Sequence, residues 1–334
     1  MSYVSGRSAF SPNPKSPVPP EGQDGLFTQS WFPICLSTDV APGQVKGYDF
    51  LDGRVVVFRN NEGEARVLSA YCPHMGADLS DGAVVNNHIR CAFHHWEYDG
   101  AGKCVKTLVG DAPPKAARLF KFPTVEKYGL VWAFNGEKPF WELPGFPYPD
   151  EELACKTVEL PGTMPVDPWV QCCNTPDMQH IKALHGVTFG GEDPHDSVRW
   201  TDHSVTYDFD GYHVRGERVF NSVGVFGTSL YYQSTTIEGR WFGFMTAMGL
   251  PRPGHAKNFL VVLGKKNDGS SVEVEAWLDF VLQFEARVVG EDIPIMQGIR
   301  LRRGTLTKSD LTLGRYFDWL NKYPRAHPSA DYIK

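Results

Sequence analysis

Four residues constrain this chain more than any other feature. Cys72 and His74 stand in the segment YCPHMG, and Cys91 and His94 stand in RCAFHHWEYDG, with sixteen residues between the two pairs. The chain has 7 cysteines and 11 histidines among its 334 residues, so two mixed pairs this close together indicate a shared metal site. Thiolates and imidazoles are the ligands that soft and borderline metals prefer in proteins.

Two cysteines and two histidines are the ligand set of a Rieske [2Fe–2S] centre, in which imidazoles replace thiolates on one of the two irons. A structural zinc site and ordinary buried cysteines are the alternatives. Zinc modules with this ligand set usually place the two cysteines together and the two histidines together. The mixed pairs in this chain therefore favour the iron–sulfur cluster.

The sequence around the four ligands has the pattern of a small β domain. Short apolar runs such as GRVVVFRN and GLVWAFNG alternate with glycine, asparagine and aspartate, which is typical of antiparallel strands joined by tight turns. Both ligand pairs then fall at strand ends or loop tips. A cluster held between two such loops can keep its histidine edge near the surface, where electrons enter and leave.

A second group of candidate ligands lies in the segment QCCNTPDMQHIKALHG. Asn174, Asp177 and His180 recur at every third residue, so on a helix they would share one face. His185 follows His180 by five residues, and both imidazoles can reach one metal only if the helix ends, widens or bulges between them. Gly186 agrees with a helix that ends there.

Two imidazoles and one carboxylate form the facial triad of non-haem Fe(II) sites, which leaves three positions open. The candidate carboxylates are Asp279, Glu285, Glu291 and Asp292. Asp279 lies in the alternating run VEVEAWLDFVLQF and Glu285 directly follows it; the run is typical of a half-buried strand, so we predict that both are structural. Glu291 and Asp292 lie in VVGEDIPIMQGIRL, and both remain candidates from the spacing.

Together the two motifs resemble those of Rieske non-haem iron oxygenases. The chain is similar to their terminal oxygenase (alpha) subunit, in the single-subunit group of monooxygenases, demethylases and steroid hydroxylases. The segment from Asn174 to His185 matches the family pattern N-x2-D-x2-H-x4-H residue for residue. The resemblance implies one [2Fe–2S] cluster and one mononuclear Fe(II) per chain, with His180, His185 and Asp292 as the iron ligands and Glu291 as the alternative carboxylate.

The resemblance also implies a route for electrons between subunits. Asp177 would link the iron site to His94 of a neighbouring chain in a homotrimer, with Asn174 in a supporting role. Respiratory Rieske proteins carry a disulfide beside the cluster, but Ala77 and Phe93 stand at those two positions here, which fits the low-potential type. His95 stands where the family usually has glycine; the C-x2-H spacing selects His94 as the ligand and leaves the role of His95 open.

The fold implied by the resemblance is α+β. It divides the chain into a disordered arm rich in proline and serine (1–25), an all-β Rieske domain (26–145), a catalytic domain (146–325) and a tail (326–334). The catalytic domain is expected to be a curved antiparallel sheet around a long C-terminal helix, a helix-grip or Bet v1-like arrangement. Alternation along the sheet predicts the residues that line the substrate cavity: Phe226, Leu230, Tyr232, Phe242, Phe244, Thr246 and Met248.

The activity implied is O2- and reductant-dependent hydroxylation, or oxidative demethylation, of an apolar, ring-containing small molecule. The length favours a monooxygenase over a ring dioxygenase, and a ferredoxin or an NAD(P)H-dependent reductase is the expected electron donor. The sequence does not separate hydroxylation from demethylation or desaturation. The alternative is a Rieske electron-transfer protein without oxygenase chemistry of its own, which would lack the second metal site.

Composition limits the partners and the cellular location that we expect for this protein. A net charge of −6 argues against nucleic acid as a partner, and the absence of an apolar run near 18 residues argues against membrane insertion. The N-terminal segment has no charged start followed by an apolar core, so it does not resemble a signal peptide. An odd number of cysteines, 7, favours a reducing compartment, and we expect a cytoplasmic protein.

Overall fold

The computed structural model describes residues 15–212, 218–237, 239–302 and 304–334. Its N-terminal part is built from short antiparallel strands: β1 (Phe27–Thr28), β2 (Trp31–Leu36), β3 (Val45–Phe50), β4 (Gly53–Arg59), β5 (Ala65–Ser69), β6 (Ala83–Val85), β7 (His88–Arg90), β8 (Glu97–Tyr98), β9 (Cys104–Lys106), β10 (Lys121–Phe122), β11 (Thr124–Lys127) and β12 (Leu130–Phe134).

These strands form three small sheets, in the orders β10-β5-β4-β3, β11-β12-β2 and β6-β7-β8-β9. Three hairpins turn through two residues that both have positive φ: Leu51–Asp52, Asn86–Asn87 and Tyr128–Gly129. Turns of this kind match the twist of the flanking strands. The loop with Cys91 and His94 joins β7 to β8 in the third sheet, and the loop with Cys72 and His74 lies between β5 and β6.

The remainder of the chain forms one large sheet with helices: β13 (Leu153–Glu159), α1 (Pro168–Cys172), α2 (Met178–Ala183), β14 (Thr188–Phe189), β15 (Arg199–Trp200), β16 (Ser204–Tyr212), β17 (Arg218–Phe226), β18 (Leu230–Ile237), β19 (Arg240–Arg252), β20 (His255–Lys265), α3 (Ser271–Gly298), α4 (Leu311–Lys322), β21 (Arg325–Ala326) and α5 (Ala330–Ile333). Short 3-10 helices lie at Gln23–Gly25, Ser37–Asp39, Leu79–Asp81, Asp150–Glu152, Pro194–Ser197 and Lys308–Asp310. The predicted α+β class is confirmed, and the predicted domain boundary after residue 145 falls between β12 and β13.

The large sheet is antiparallel, in the order β13-β20-β19-β18-β17-β16-β14, with β15 paired to β16. One of its faces packs on the N-terminal part through a shared apolar core that includes Trp31, Trp132, Phe134, Leu230, Tyr232, Met245 and Phe259. Its other face packs under α3 through Phe242, Phe244, Leu260, Val262, Leu278 and Val281. Burial of each such side chain contributes roughly 2 kcal/mol, which fixes the strand register.

The segment that alternation predicted to be a strand is the first half of helix α3. A capping box between Ser270 and Glu273 starts the helix, and its buried residues recur at spacings of three and four, which the alternating pattern concealed. The predicted long helix therefore begins at Ser271, well before Glu291 and Asp292. No helix in the described part of the chain is long and apolar enough to cross a lipid bilayer.

The N-terminal arm was predicted to be disordered over 1–25. Residues 1–14 lie outside the described part of the chain. From residue 15 onward the arm packs into the fold: Val18 is 1% exposed within an apolar core, and the guanidinium of Arg325 donates to the carbonyls of Pro19 and Pro20 at 2.6 and 3.0 Å. For residues 15–25 the prediction is wrong, because these contacts offset the conformational entropy that the proline-rich segment loses when it becomes ordered.

The C-terminal residues 326–334 are likewise part of the core rather than a free tail. Ala326 pairs with Phe27 in a two-stranded sheet of β1 and β21. Ile333 is fully buried in the apolar core of the N-terminal part. The two ends of the described chain therefore stabilise one another.

Candidate functional site

Two loops of the same construction carry the four predicted cluster ligands. In each loop the N–H of the cysteine, Cys72 or Cys91, donates to the carbonyl five positions later, at 2.9 Å in both cases. The residue four positions later, Gly76 or His95, donates its N–H back to the carbonyl of the cysteine, at 2.8 and 3.1 Å. Each loop therefore folds back on its own cysteine, and the two form matching halves of one site.

This construction gives a physical reason for the glycine that the resemblance predicts at position 95. Gly76 has φ 75° and its equivalent His95 has φ 55°, a left-handed conformation that side chains with a Cβ seldom adopt. The His95 side chain is exposed. The ring of His94, by contrast, lies 4.5 Å from that of His74, between centroids, so the structure brings His94 rather than His95 to the other histidine.

Burial separates the two kinds of ligand. Cys72 and Cys91 are 3% and 1% exposed, whereas His74 is exposed and stacks on Trp96 with ring centroids 4.3 Å apart. The Sγ of Cys72 lies 3.0 Å from the hydroxyl of Tyr98, which can donate a hydrogen bond to a thiolate. Thiolates inside and imidazoles at the surface suit a cluster that exchanges electrons through its histidine edge.

A second site brings His180, His185 and Asp292 together. The two Nε2 atoms lie 3.0 Å apart, and Oδ1 of Asp292 lies 3.3 Å from Nε2 of His180 and 3.6 Å from Nε2 of His185. Metal bonds of about 2.1 Å at right angles place neighbouring ligand atoms roughly 3 Å apart. The three donor atoms therefore have the spacing of a facial triad around one ion.

The charges of these side chains also suit a divalent metal. Burial, together with a smaller effect of the nearby His185, lowers the pKa of His180 to about 4, so the ring is neutral and its Nε2 can act as a ligand. Burial raises the pKa of Asp292 to about 6, against the opposing effects of His185 and of a hydrogen bond from Asn174. Oδ1 of Asp292 is buried and accepts no hydrogen bond from the described residues. A cation at this point would satisfy it.

The two candidate carboxylates have different positions. Asp292 faces the Nε2 atoms, while Oε2 of Glu291 lies 3.0 Å from Nδ1 of His185, on the other side of that ring. Glu291 is also the more exposed side chain, at 44% against 19% for Asp292. The geometry favours Asp292 as the metal ligand and gives Glu291 the position of a residue that orients His185.

The backbone around these histidines departs from the predicted single helix. Helix α1 ends at Cys172 and α2 begins at Met178, because Pro176 disfavours a helical conformation in the residue before it. Asn174 therefore lies between two helices, and Asp177 is the N-cap of α2, where its carboxylate accepts the N–H of His180 at 3.0 Å. The prediction that Asn174, Asp177 and His180 share one helix face is wrong.

Helix α2 ends at Ala183, before His185, as the spacing of the two histidines required. Gly186 has φ 65°, and this left-handed residue turns the chain away after the second imidazole. The end of the helix between the two histidines is what allows both rings to reach one point.

A cavity of about 670 Å³ lies beside the triad, between α2, α3 and the large sheet. Of the residues predicted to line it, Phe244, Thr246 and Met248 do so. Phe242 lies on the same strand but packs under α3. The cavity volume is within the range of small-molecule sites.

Three predicted lining residues face the opposite side of the sheet. Leu230 pairs with Ala247 and Tyr232 with Met245, so both point to the core shared with the N-terminal part, and Phe226 packs against the same core. Residues directly opposite in an antiparallel pair share a face. The prediction is therefore wrong for Phe226, Leu230 and Tyr232, because alternation alone does not say which of the two sets of alternate residues faces the cavity.

On β17 and β18 the residues that alternate with the predicted ones form the polar wall of the cavity. The sequence analysis did not predict this wall. Tyr231, Gln233 and Asn221 line it, together with Glu285 from α3. The pairing of Tyr231 with Thr246 would have identified this face, had the register been known. Glu285 was interpreted as a structural residue of a strand, and it is instead a buried residue of α3.

Comparison with known proteins supports the cluster site. A model of the Rieske [2Fe–2S] domain matches residues 30–123, a range that contains all four predicted cluster ligands and implies the [2Fe–2S] cluster. The chain is 40% identical over 123 residues to cholesterol 7-desaturase nvd 1 of Ciona intestinalis, which is 36% of this chain and 26% of that protein. It is 33% identical over 153 residues to a probable 3-ketosteroid-9-alpha-monooxygenase, oxygenase component, of Rhodococcus rhodochrous, which is 46% of this chain and 36% of that protein.

A longer match is to cholesterol 7-desaturase nvd of Hemicentrotus pulcherrimus, 29% identical over 242 residues, which is 65% of this chain and 50% of that protein. The matched part thus spans between about a quarter and a half of the length of these curated relatives. Among solved structures, Pseudomonas putida CBB5 NdmA QL mutant with theobromine superimposes with a TM-score of 0.69 at 19% identity, covering 88% of this chain and 90% of that one. Dicamba monooxygenase bound to dicamba gives a TM-score of 0.63 at 20% identity, covering 88% and 97%, so the overall fold is shared.

Proposed function

This chain carries a Rieske [2Fe–2S] domain and is related to the oxygenase components of Rieske oxygenases, and from that premise we propose that it is itself the oxygenase component of a multicomponent oxygenase. The reaction is O2- and reductant-dependent hydroxylation or oxidative demethylation of an apolar, ring-containing molecule. The observation that carries the proposal is the convergence of His180, His185 and Asp292 within 3.6 Å of one another at the wall of a cavity of about 670 Å³.

Each side chain of the site has a definite task in this proposal. Fe(II) held by His180, His185 and Asp292 would supply open coordination positions for O2 beside the substrate, with electrons delivered from the cluster. The carboxylate of Glu291 accepts a hydrogen bond from Nδ1–H of His185. The Nε2 lone pair of His185 then faces the triad. Asn174 stabilises the ionised form of Asp292. Apolar side chains such as Ile293 and Met296 line the cavity next to the triad and limit the access of water.

An electron-transfer protein without its own oxygenase chemistry is the alternative. Electron transfer alone does not require two imidazoles that face a buried carboxylate oxygen at the wall of a cavity. Buried polar groups without partners cost stability, so a chain that only carried electrons would gain by replacing them. The triad therefore favours the oxygenase.

Electrons are proposed to cross between subunits of a homotrimer, through Asp177 of one chain and His94 of the next. Among the described residues, no hydrogen bond, ion pair or ring contact joins a cluster loop to the triad in the same chain. Exposed apolar side chains flank both ends of the proposed route. Met75 and Phe93 lie in the cluster loops and are 65% and 60% exposed, and Leu311, 61% exposed, follows Asp310, which accepts a hydrogen bond from Gln179 of α2. Apolar surface around a redox centre is suited to burial against a second copy.

The proposed electron donor, location and substrate class follow from the relationship to oxygenase components. A ferredoxin or an NAD(P)H-dependent reductase would reduce the cluster, and the cytoplasm is the proposed location because thiol ligands are maintained there. Three of the curated relatives are named for cholesterol or 3-ketosteroids, which favours a polycyclic substrate and monooxygenation, or the related desaturation, over ring dioxygenation.

Metal analysis combined with turnover tests the proposal. The oxygenase is expected to hold about three irons per chain, two in the cluster and one at the triad, and to form product from steroid, aromatic or N- and O-methyl compounds only with O2 and reductant. His180→Ala should leave about two irons, with the absorbance of the cluster unchanged, and no product. A wild-type protein with only two irons and no product would identify an electron carrier instead.

A further inference from the structure

Glu285 occupies a position in α3 that the helix otherwise gives to apolar residues. The buried stripe of this helix runs through Val274, Leu278 and Val281 and then reaches Glu285, at helical spacings of four, three and four. Glu285 is 3% exposed, and its Oε1 has no hydrogen-bond partner among the described residues. A carboxyl group here costs stability that an apolar side chain would not.

Among the described residues, none forms an ion pair with this carboxyl group. Burial raises the pKa of Glu285 to about 8, with no charged neighbour contributing to that shift, so the group is mainly protonated and uncharged near neutral pH. A protonated carboxyl can both donate and accept a hydrogen bond. Because Glu285 lines the cavity, a bound molecule can supply the missing partner.

The facing wall of the cavity is polar and uncharged at the same end. On β18, the hydroxyl of Tyr231 donates to Oε1 of Gln233 at 2.8 Å, and Nε2 of Gln233 donates to Oδ1 of Asn221 on β17 at 3.2 Å. All three residues line the cavity with Glu285. A phenol, two amides and a carboxylic acid recognise an uncharged oxygen through hydrogen bonds and offer nothing suited to an anion.

The distance from this polar group to the triad is set by the helix. Glu285 precedes Asp292 by seven residues on α3, so the two lie on one face about 10 Å apart at 1.5 Å per residue. Val288 and Val289 line the cavity between them. Glu285 is therefore a polar point on the cavity wall about 10 Å from the triad, and Arg287 lines the cavity beside the two valines.

We propose that Glu285, supported by the Tyr231, Gln233 and Asn221 wall, anchors a ketone or hydroxyl oxygen of an elongated, rigid, apolar substrate and so positions a carbon about 10 Å away at the triad. This inference rests on the proposed oxygenase function, for which it specifies the substrate class. Glu285 acts as a specificity residue that contacts substrate at a point remote from the reacting carbon.

Binding of three matched probes to the purified holoprotein tests the inference. The probes are a fused four-ring alicyclic ketone, the same skeleton without oxygen and the same skeleton with a primary amine, each radiolabelled and measured by equilibrium dialysis. Wild type is expected to bind the ketone at least about tenfold more tightly than the hydrocarbon, because a buried polar site rejects an analogue that leaves it unpaired.

Two variants separate hydrogen bonding from charge. Glu285→Gln keeps an uncharged donor and should keep the preference for the ketone, whereas Glu285→Leu should bind ketone and hydrocarbon equally. Asp279→Asn is the matched control, since Asp279 is on the same helix, 47% exposed and paired with Lys156, and it should behave as wild type.

Retained ketone preference in Glu285→Leu, tightest binding of the amine, or binding of none of the probes by wild type would overturn the inference. Because binding is measured without turnover, tight ketone binding without product would contradict only the oxygenase function.

Discussion

Glu291 contacts Nδ1 of His185 at 3.0 Å, while Nε2 of the same ring lies 3.0 Å from Nε2 of His180. The imidazole is thus held between a carboxylate on one side and the triad on the other. A carboxylate that accepts the Nδ1 proton fixes the tautomer and leaves the Nε2 lone pair available to a metal. Asp292 and Glu291 are adjacent in sequence, and helix α3 directs them to different atoms of the site.

Glu291→Ala is expected to weaken iron binding at the triad by about 10- to 100-fold, which is the usual effect of removing a partner of a ligating histidine. Glu291→Gln keeps an acceptor for Nδ1 and should lose much less. Iron retained against a graded chelator series measures the effect, and the absorbance of the cluster reports that the other site is intact. Equal iron retention in Glu291→Ala and wild type would contradict the orienting role.

Asp177→Asn tests the route between subunits while preserving the helix. Asparagine is as good an N-cap as aspartate, so the acceptor for the N–H of His180 is retained. We expect both metals to remain, reduction of the cluster by its donor to be unchanged and product formation to fall at least about tenfold. Single-turnover measurement of cluster reoxidation with substrate and O2 separates these steps. Reoxidation at the wild-type rate would contradict the role of Asp177.

The features that could be predicted from the sequence were those that depend on local spacing. The cluster ligands lie in two loops whose geometry is set by residues within five positions of each cysteine. The requirement that the helix end between His180 and His185 followed from the angle per residue, and α2 ends at Ala183. The structure also brings Asp292 to these histidines, which the resemblance implied.

What could not be predicted depends on long-range pairing. The choice between Leu230 and Tyr231 as cavity residues is decided by the register of β18 against β19, and a one-residue difference exchanges the two faces. The run before Asp292 alternates like a strand, but a capping box at Ser270 and the packing of Leu278 and Val281 on the sheet make it helical. Glu285 was misassigned for that reason.

His95→Gly is expected to stabilise the protein slightly without affecting the cluster. His95 has φ 55°, which costs about 1–2 kcal/mol for a residue with a Cβ, and the greater freedom of glycine in the unfolded chain offsets up to about 1 kcal/mol of the relief. Gly76→Ala, at the equivalent position of the other loop with φ 75° and open space around it, should destabilise. Thermal midpoints followed by cluster absorbance measure both. Loss of the cluster in His95→Gly would show that His95 rather than His94 is the ligand.

The stability of the protein should depend on pH through Glu285. Its pKa is raised from 4.5 to about 8 in the folded protein, so between these values the folded chain keeps a proton that the unfolded chain releases. The stabilisation relative to an ionised carboxylate is complete below about pH 4.5, decreases as pH rises towards about 8, and corresponds to a total on the order of 5 kcal/mol. Glu285→Gln cannot ionise and lacks this contribution. Thermal midpoints at about pH 5.5 and about pH 8.5 should therefore fall more in wild type than in Glu285→Gln. Glu21, whose pKa is also raised, to about 7, is present in both proteins and cancels in the comparison.

Parallel plots of thermal midpoint against pH for the two proteins would show that Glu285 is ionised in the folded state.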